Sequence, residues 1–410
     1  MSEEVATRWG SLYLDACATT PLAPEALEAM EQAWREAWAN PSSLHGPGVA
    51  AATCLEKSRD RLAAALAATP DEVVWCSGGS EAIHLALLGS AETMEPGRLL
   101  ISAVEHPATE AAAATLQRRG WELRRVPVDH RGALRLEALE PLLVPPTRLV
   151  SLIWGQSEVG TLQPVVRVGA LCRERGIRMH VDAVQVAGHR PVEWASLPVD
   201  LLSLAAHKLQ GPRGIGALLV RRGVSLRPLI GGAQEQGRRG GTESVPLAAG
   251  FAAALDQCAR RLTAHGGWDP VGTLRDGLWL QLRHLPGVEL LGPDPADREA
   301  RLPHHLSLLV RSQRGRPLPG RAVVRALAKR GVACGSGSAC SAKRGDPRAA
   351  RESSAAASPV LLAMGFSPAE AAGGVRLSFG PWLAEDDLAP VPGLLAEAIE
   401  EVEQAQIVRS

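Results

Sequence analysis

Leu201-Leu202-Ser203-Leu204-Ala205-Ala206-His207-Lys208-Leu209-Gln210-Gly211-Pro212-Arg213-Gly214-Ile215-Gly216-Ala217-Leu218-Leu219-Val220 is an apolar run that stops at a His-Lys pair, turns through glycines and a proline, and resumes as a second apolar run. The pattern predicts a strand over 201–206, a tight turn and a second strand over 215–220. Lys208 then stands at a strand end. Apolar residues before it disfavour the ammonium, and desolvation of that kind lowers a lysine pKa and makes the amine nucleophilic toward carbonyl groups. A lysine in a loop is ordinarily solvated, so the weight falls on its neighbours.

Upstream, a helix is expected over Val168 to Arg175, a turn at Gly176, and a short strand that places Asp182 at its end in Met179-His180-Val181-Asp182-Ala183-Val184-Gln185. One strand end offers a carboxylate and the next an amine. Pyridoxal-phosphate sites use that pair: the lysine carries the cofactor, and the aspartate keeps the ring nitrogen protonated so that the ring accepts electrons. The wording around the two residues is specific. His180-Val181-Asp182-Ala183-Val184-Gln185, then His207-Lys208 followed by Gly211-Pro212-Arg213-Gly214-Ile215-Gly216, resembles the cysteine desulfurases, the class V aminotransferase group of the fold-type I pyridoxal-phosphate enzymes. The resemblance implies pyridoxal 5'-phosphate as cofactor, with Lys208, Asp182, Gln185 and His207 around it.

Composition fits a globular enzyme. With 410 residues, 46% of them hydrophobic, one large and one smaller domain are expected. Basic and acidic residues balance at 44 each, so there is no electrostatic footprint for nucleic acid or an anionic membrane. The seven cysteines form no CxxC pair and are odd in number, which suggests reduced thiols in the cytoplasm. The acidic start Met1-Ser2-Glu3-Glu4-Val5 has no apolar signal core, and no run reaches the roughly 18 apolar residues of a membrane span. No metal site is expected.

Further motifs extend the resemblance over nearly the whole chain. Leu12-Tyr13-Leu14-Asp15-Ala16-Cys17-Ala18-Thr19-Thr20-Pro21 reads as an extended segment before a helix from about Pro24 to Trp38, and it is similar to the opening of the desulfurases. Asn40, in Asn40-Pro41-Ser42-Ser43-Leu44-His45, is by that likeness a residue for the substrate carboxylate. Asp71 to His84 reads as a strand, a glycine turn and a helix beginning near Ser80; such a helix N-terminus suits a phosphate. Gly79-Ser80 stands where relatives commonly have Ala-Thr. A strand over 99–104 leads to Glu105-His106-Pro107. A histidine there commonly caps the next helix; the resemblance implies that His106 lies over the cofactor ring and relays protons.

Two positions depart from the family pattern. In Gly155-Gln156-Ser157-Glu158, after the strand expected over 149–154, Ser157 replaces an asparagine that bonds the ring hydroxyl, and Ala205 replaces a Ser or Thr that binds phosphate. Each lost hydrogen bond would cost about 0.5–1.5 kcal/mol, or about 1.5–3 when one partner is charged. An impaired but occupied site is expected.

Strands alternate with helices from about residue 70 to 220, which predicts an α/β fold with a mostly parallel sheet between helices. Ligands of such sheets bind beyond the carboxyl ends of the strands, where Ser80, His106, Ser157, Asp182 and Lys208 all fall. The loop Gly231 to Glu243 resembles the family's Arg-x-Gly-Thr loop, so Thr242 is expected to reach the phosphate of a neighbouring subunit in a homodimer. Past Arg260, Pro/Gly breaks suggest a smaller α+β domain. The expected partition is 1–20 joining the small domain, 21–260 as the large cofactor domain, and 261–410 as the small one.

That last part holds Gly335-Ser336-Gly337-Ser338-Ala339-Cys340-Ser341-Ala342-Lys343, with Arg344, Arg348 and Arg351 following. Small residues imply a flexible loop, and nearby cations favour a thiolate. The resemblance makes Cys340 the thiol that takes sulfur from L-cysteine, leaving alanine and passing the sulfur to acceptor proteins. Cys54, Cys172 and Cys258 are read as buried core residues. Arg376, in Val375-Arg376-Leu377-Ser378-Phe379-Gly380, is then the bidentate clamp for the substrate carboxylate. Alternatives are another pyridoxal-phosphate aminotransferase or lyase, a selenocysteine-specific relative included, and a weakly active sulfur-assembly homologue.

Overall fold

In the computed structural model, which describes residues 12–337 and 357–407, the apolar runs of the sequence become the middle of a seven-stranded sheet. Its strands are β2 (Val73–Cys76), β3 (Arg98–Ser102), β4 (Glu122–Val126), β5 (Thr147–Ile153), β6 (Arg178–Asp182), β7 (Leu201–Ala205) and β8 (Gly216–Val220), in the order β2-β8-β7-β6-β5-β3-β4. Only β8 runs against its neighbours; the β7-β6-β5-β3-β4 ladder is parallel throughout. Every residue of β7 and β8 is buried, as expected for strands covered on both faces. Lys208 lies not on the strand but on the helical turn Ala206–Lys208 that follows it, because β7 ends at Ala205.

Helices cover both faces. The first long ones are α1 (Pro24–Glu36), α2 (Gly46–Ala65), α3 (Gly79–Ala91), α4 (Pro107–Arg118) and α5 (Val165–Glu174), and α6 (Val245–Ala264) packs against α1 and α2. Its approach to α1 is close: a Cβ at Gly250 would lie 2.6 Å from Met30 Cγ. Helix α1 stops at Glu36, two residues short of the expected end, and β3 stops at Ser102 rather than 104. Cys172 and Cys258 are buried as read; Cys54 is only half-buried.

A second core forms around the antiparallel sheet β12-β10-β9, made of β9 (Val288–Leu291), β10 (His305–Val310) and β12 (Gly374–Ser378). Helices α7 (Val271–Leu282), α8 (Gly320–Lys329) and α9 (Val391–Ile407) contribute Leu278, Leu282, Val323, Leu327 and Leu395 to it. The first described strand, β1 (Leu12–Leu14), pairs in parallel with β11 (Val332–Cys334), and Leu14 is fully buried in this second core. Helix α6 runs unbroken to Ala264, past the expected boundary at 260. Among the described residues no helix is long and apolar enough to cross a membrane.

One buried ion pair pins the loop before α6. Arg59 on α2 donates from Nη1 and Nη2 to the two carboxylate oxygens of Glu235 at 2.8 and 2.9 Å, and Trp75 N donates to Oε2 at 2.9 Å. Burial acts against the Arg59 charge, but Glu235 outweighs it and its pKa is raised. Glu235 and Gln236 both have left-handed backbones, with φ of 50° and 58°. Such residues persist only where their surroundings hold them. Arg59→Met should therefore cost about 3–5 kcal/mol by leaving the Glu235 carboxylate buried and unpaired, and adding Glu235→Leu should recover much of the loss. Urea unfolding of the two variants checks this.

Candidate active site

Residues 15–20 cross the carboxyl ends of β6 and β7 as a strap, at the end of the sheet where a fold of this kind forms its ligand crevice. That strap is tied at both sides. Cys17 N donates to Ser378 Oγ of β12 at 2.9 Å, while Thr20 N and Oγ1 donate to the His207 carbonyl at 3.0 and 3.1 Å. Lys208 Nζ donates to the carbonyl oxygens of Cys17 and Ala18 at 2.5 and 2.9 Å. The Cys17 carbonyl also accepts from Gln185 Nε2 at 3.0 Å. His207 turns its Nδ1 toward Thr19 Oγ1 at 3.2 Å, and burial, with the Lys208 and Arg213 charges, lowers its pKa to about 4.

Asp182 ends β6 as the sequence predicts and is buried. Val184 N donates to its Oδ1 at 3.0 Å; Oδ2 takes no hydrogen bond among the described residues. Burial raises the Asp182 pKa, and His106 and Lys208 partly offset it. His106 is also the N-cap of α4: its Nδ1 accepts from Ala108 N at 3.1 Å. That leaves Nε2 to carry the proton of the neutral ring, and burial keeps the pKa of the ring low, helped by Lys208 and opposed by Asp182. The capping and the catalytic readings of this histidine are thus compatible. His180, one pleat earlier on β6, is held between Ser151 Oγ and Ser203 Oγ at 2.8 Å each, and burial lowers its pKa to about 3.

Helix α3 begins at Gly79 with no side chain capping its free N–H groups, and Ser80 is exposed there. A Cβ built at Gly79 would lie 3.5 Å from the Ala205 methyl and 2.8 Å from Val184 Cγ2. Ala205 thus packs under the helix N-terminus at the position where a hydroxyl is expected. Ser157 works through its main chain: its carbonyl accepts from Arg376 Nη1 at 2.9 Å and from His305 Nε2 at 3.0 Å.

Arg376, on β12, is buried and donates from Nη2 to Asp15 Oδ1 at 2.8 Å; its Nε has no partner among the described residues. Burial opposes its charge, yet Cys17, Asp15 and Glu158 outweigh that, and its pKa is raised. Gly335 lies over the guanidinium, where a Cβ would come within 2.8 Å of both Nη2 and Asp15 Oδ1. Glu158, which sequence reasoning did not single out, accepts from Ser358 Oγ at 2.5 Å, and burial pushes its carboxyl up to about 7.

The structure therefore gathers Lys208, Asp182, His106, Gln185 and His207 at the ends of β6 and β7, sets Gly79 against Ala205, and joins Ser157 to Arg376. Asn40 is exposed and its Oδ1 closes a local turn by accepting from Ser42 N at 2.9 Å; Thr242, expected to reach a neighbouring subunit and not this chain's own site, is exposed. Cys340, with Lys343, Arg344, Arg348 and Arg351, lies outside the described residues. No group of His, Cys, Asp or Glu suited to a metal occurs among the described residues.

The donor set fits pyridoxal phosphate. A buried carboxylate with a bare oxygen suits a protonated ring nitrogen, an uncapped helix N-terminus suits a phosphate, and the Lys208 amine is held at the end of the neighbouring strand β7.

A sequence profile of the class-V aminotransferases matches residues 12–390. A cysteine desulfurase of Sinorhizobium fredii is 35% identical over 402 residues, covering 97% of this chain and 98% of that protein. Among solved structures, a NifS-like protein has a TM-score of 0.83 at 32% identity, over 96% of this chain and 99% of the other. SspA in complex with cysteine has a TM-score of 0.74 at 28% identity, over 91% and 99%.

Glu105, next to His106, offers a test of the electrostatics. Its Oε1 accepts from Ser102 Oγ at 2.5 Å and Ile153 N at 3.0 Å, while Oε2 is buried without a partner among the described residues. Burial pushes its carboxyl up to about 8 against the Ser102 hydrogen bond, so the folded chain holds a proton that the unfolded chain releases near pH 4.5. Stability is then lost as pH climbs between those values, by up to about 1.4 kcal/mol per unit for one proton. Glu105→Gln removes the titration and keeps the accepting oxygen. Its stability relative to the parent should rise steadily from pH 5 to 8 in urea unfolding; a difference independent of pH would contradict the assignment.

Proposed function

The chain belongs to the class-V aminotransferase family, and from that premise we propose that it is a pyridoxal-phosphate-dependent cysteine desulfurase, which removes sulfur from L-cysteine, releases L-alanine and carries the sulfur as a persulfide on Cys340. The observation that supports this most is the meeting of Lys208, Asp182 and Arg376 around one strap: an amine, a buried carboxylate and a buried guanidinium facing one crevice.

Lys208 would hold the cofactor and Asp182 its ring nitrogen, with the α3 N-terminus, Gly79 and Ser80 at the phosphate, Gln185, His207 and Ser157 nearby, and Thr242 arriving from the second subunit of a homodimer. The bound cofactor supplies an electron sink for charge developing at the substrate α-carbon. Arg376 holds the substrate carboxylate through its planar fork, with Asn40 assisting. Lys208 Nζ, once released, takes the α-proton, and His106, neutral with its proton on Nε2, relays protons within the water-poor crevice. The Cys340 thiolate attacks the substrate sulfur: an S–S bond forms, the carbon–sulfur bond breaks, and its electron pair stays with the carbon fragment, which gains a proton and leaves as alanine. The persulfide then passes to a sulfur-acceptor protein. We place this chemistry in the cytoplasm, where its thiols stay reduced, and we take 1–20 and 261–410 together as the smaller domain.

Purified protein supplied with pyridoxal phosphate and a reducing thiol should release equal amounts of sulfide and alanine from L-cysteine. Cys340→Ala should keep the cofactor and lose at least about 100-fold of both products. Undiminished release by that variant would refute the role of Cys340, and conversion of the bound cofactor to its amine form would favour an aminotransferase instead.

A further inference from the structure

Behind the crevice a buried polar chain runs between the two cores. Asp269, at the foot of α7, accepts at Oδ2 from His189 Nδ1 at 2.7 Å and from Arg261 Nη2 at 3.2 Å. The His189 ring stacks on His304, with centroids 3.6 Å apart and planes 17° from parallel. His304 Nε2 meets Gln185 Oε1 at 3.3 Å, and Gln185 Nε2 donates to the Cys17 carbonyl that also receives Lys208 Nζ. Asp269, His189, His304 and Gln185 are all buried.

Hydrogen-bond bookkeeping fixes the protons. Gln185 must offer its NH2 side to the Cys17 carbonyl, so its oxygen faces His304, and His304 Nε2 must be the donor. The other nitrogen, Nδ1, is buried with no partner among the described residues, so the proton stays on Nε2. Burial first, then His189 and the nearby cations, drives the His304 pKa well down, so the ring stays neutral. Asp269 is held ionised by His189 and Arg261 although burial opposes it, which makes His189 Nδ1 a donor as well.

We infer that His304 is a positioning residue of this site: its Nε2–H locks the Gln185 amide, the lock sets what the Cys17 carbonyl can offer Lys208, and the Asp269-His189 pair holds the His304 ring in register by stacking. The inference rests on the reading that this crevice takes pyridoxal phosphate. Without the His304 donor, the Gln185 amide is free to rotate, and the carbonyl that parks Lys208 gains or loses a competing donor. An effect on lysine and cofactor follows, and not on stability alone.

His304→Phe keeps a ring for the stack and deletes the donor; His304→Gln puts an amide donor near the place of Nε2. In the cofactor-free parent, nitrogen NMR of His304 should show a protonated Nε2 and a bare Nδ1 from pH 6 to 8. With pyridoxal phosphate added, His304→Phe should bind it about 5- to 20-fold more weakly and shift the pH midpoint of the lysine-linked absorption, and His304→Gln should restore that midpoint. A protonated Nδ1, or a His304→Phe protein with parental affinity and midpoint whatever its melting temperature, would overturn the inference. If the parent itself develops no lysine-linked absorption, the cofactor reading fails, while the NMR result still decides the hydrogen bond.

Discussion

An amine at the end of a buried strand must find acceptors, and Lys208 finds them in the main chain of Cys17 and Ala18. Those carbonyls face the crevice because the strap from 15 to 20 is fixed on one side to Ser378 and on the other to His207. Cys17 alone joins three elements: its N–H goes to β12, and its carbonyl serves both Lys208 and Gln185. The site thus depends on the second core holding the first strand in place through the β1–β11 pairing.

The two departures from the family pattern look different once their surroundings are seen. Ser157 contributes a carbonyl to Arg376 and His305, a duty that any residue can perform, so the loss of an amide side chain leaves the guanidinium anchored. Ala205 places its methyl against Gly79, at the N-terminus of α3. The backbone N–H groups there are untouched by the missing hydroxyl. Ser157 exchanges an amide for a shorter hydroxyl and Ala205 lacks a hydroxyl, while the main-chain groups around both stay in place.

Much of this was legible in the sequence, because strand ends and glycine turns are local signals. Asp182 at the end of β6, the helix start at Gly79 and the turn carrying Lys208 all follow from apolar runs that stop at polar residues. Tertiary partners were not legible. His304 and His189 stand 115 positions apart in the chain, and only folding stacks them; the His304-His305 doublet at the start of an apolar strand was the available hint. Glu158 gains its character from burial beside Ser358 and Arg376, which no spacing reveals. Asn40 uses its side-chain oxygen in a local turn, a contact that its Asn-Pro-Ser-Ser setting makes local, and keeps its amide nitrogen for other partners.

The central claim is that Lys208 is the amine that carries the cofactor. The sequence makes this unusually simple to test, since Lys57, Lys208, Lys329 and Lys343 are its four lysines. Lys57 is exposed on α2, and Lys329 is bonded to Glu401 at 2.7 Å. Protein loaded with pyridoxal phosphate, reduced with borohydride and digested should carry the added mass on the peptide containing Lys208, at about one per chain. Label on another lysine, or spread among them, would contradict the account.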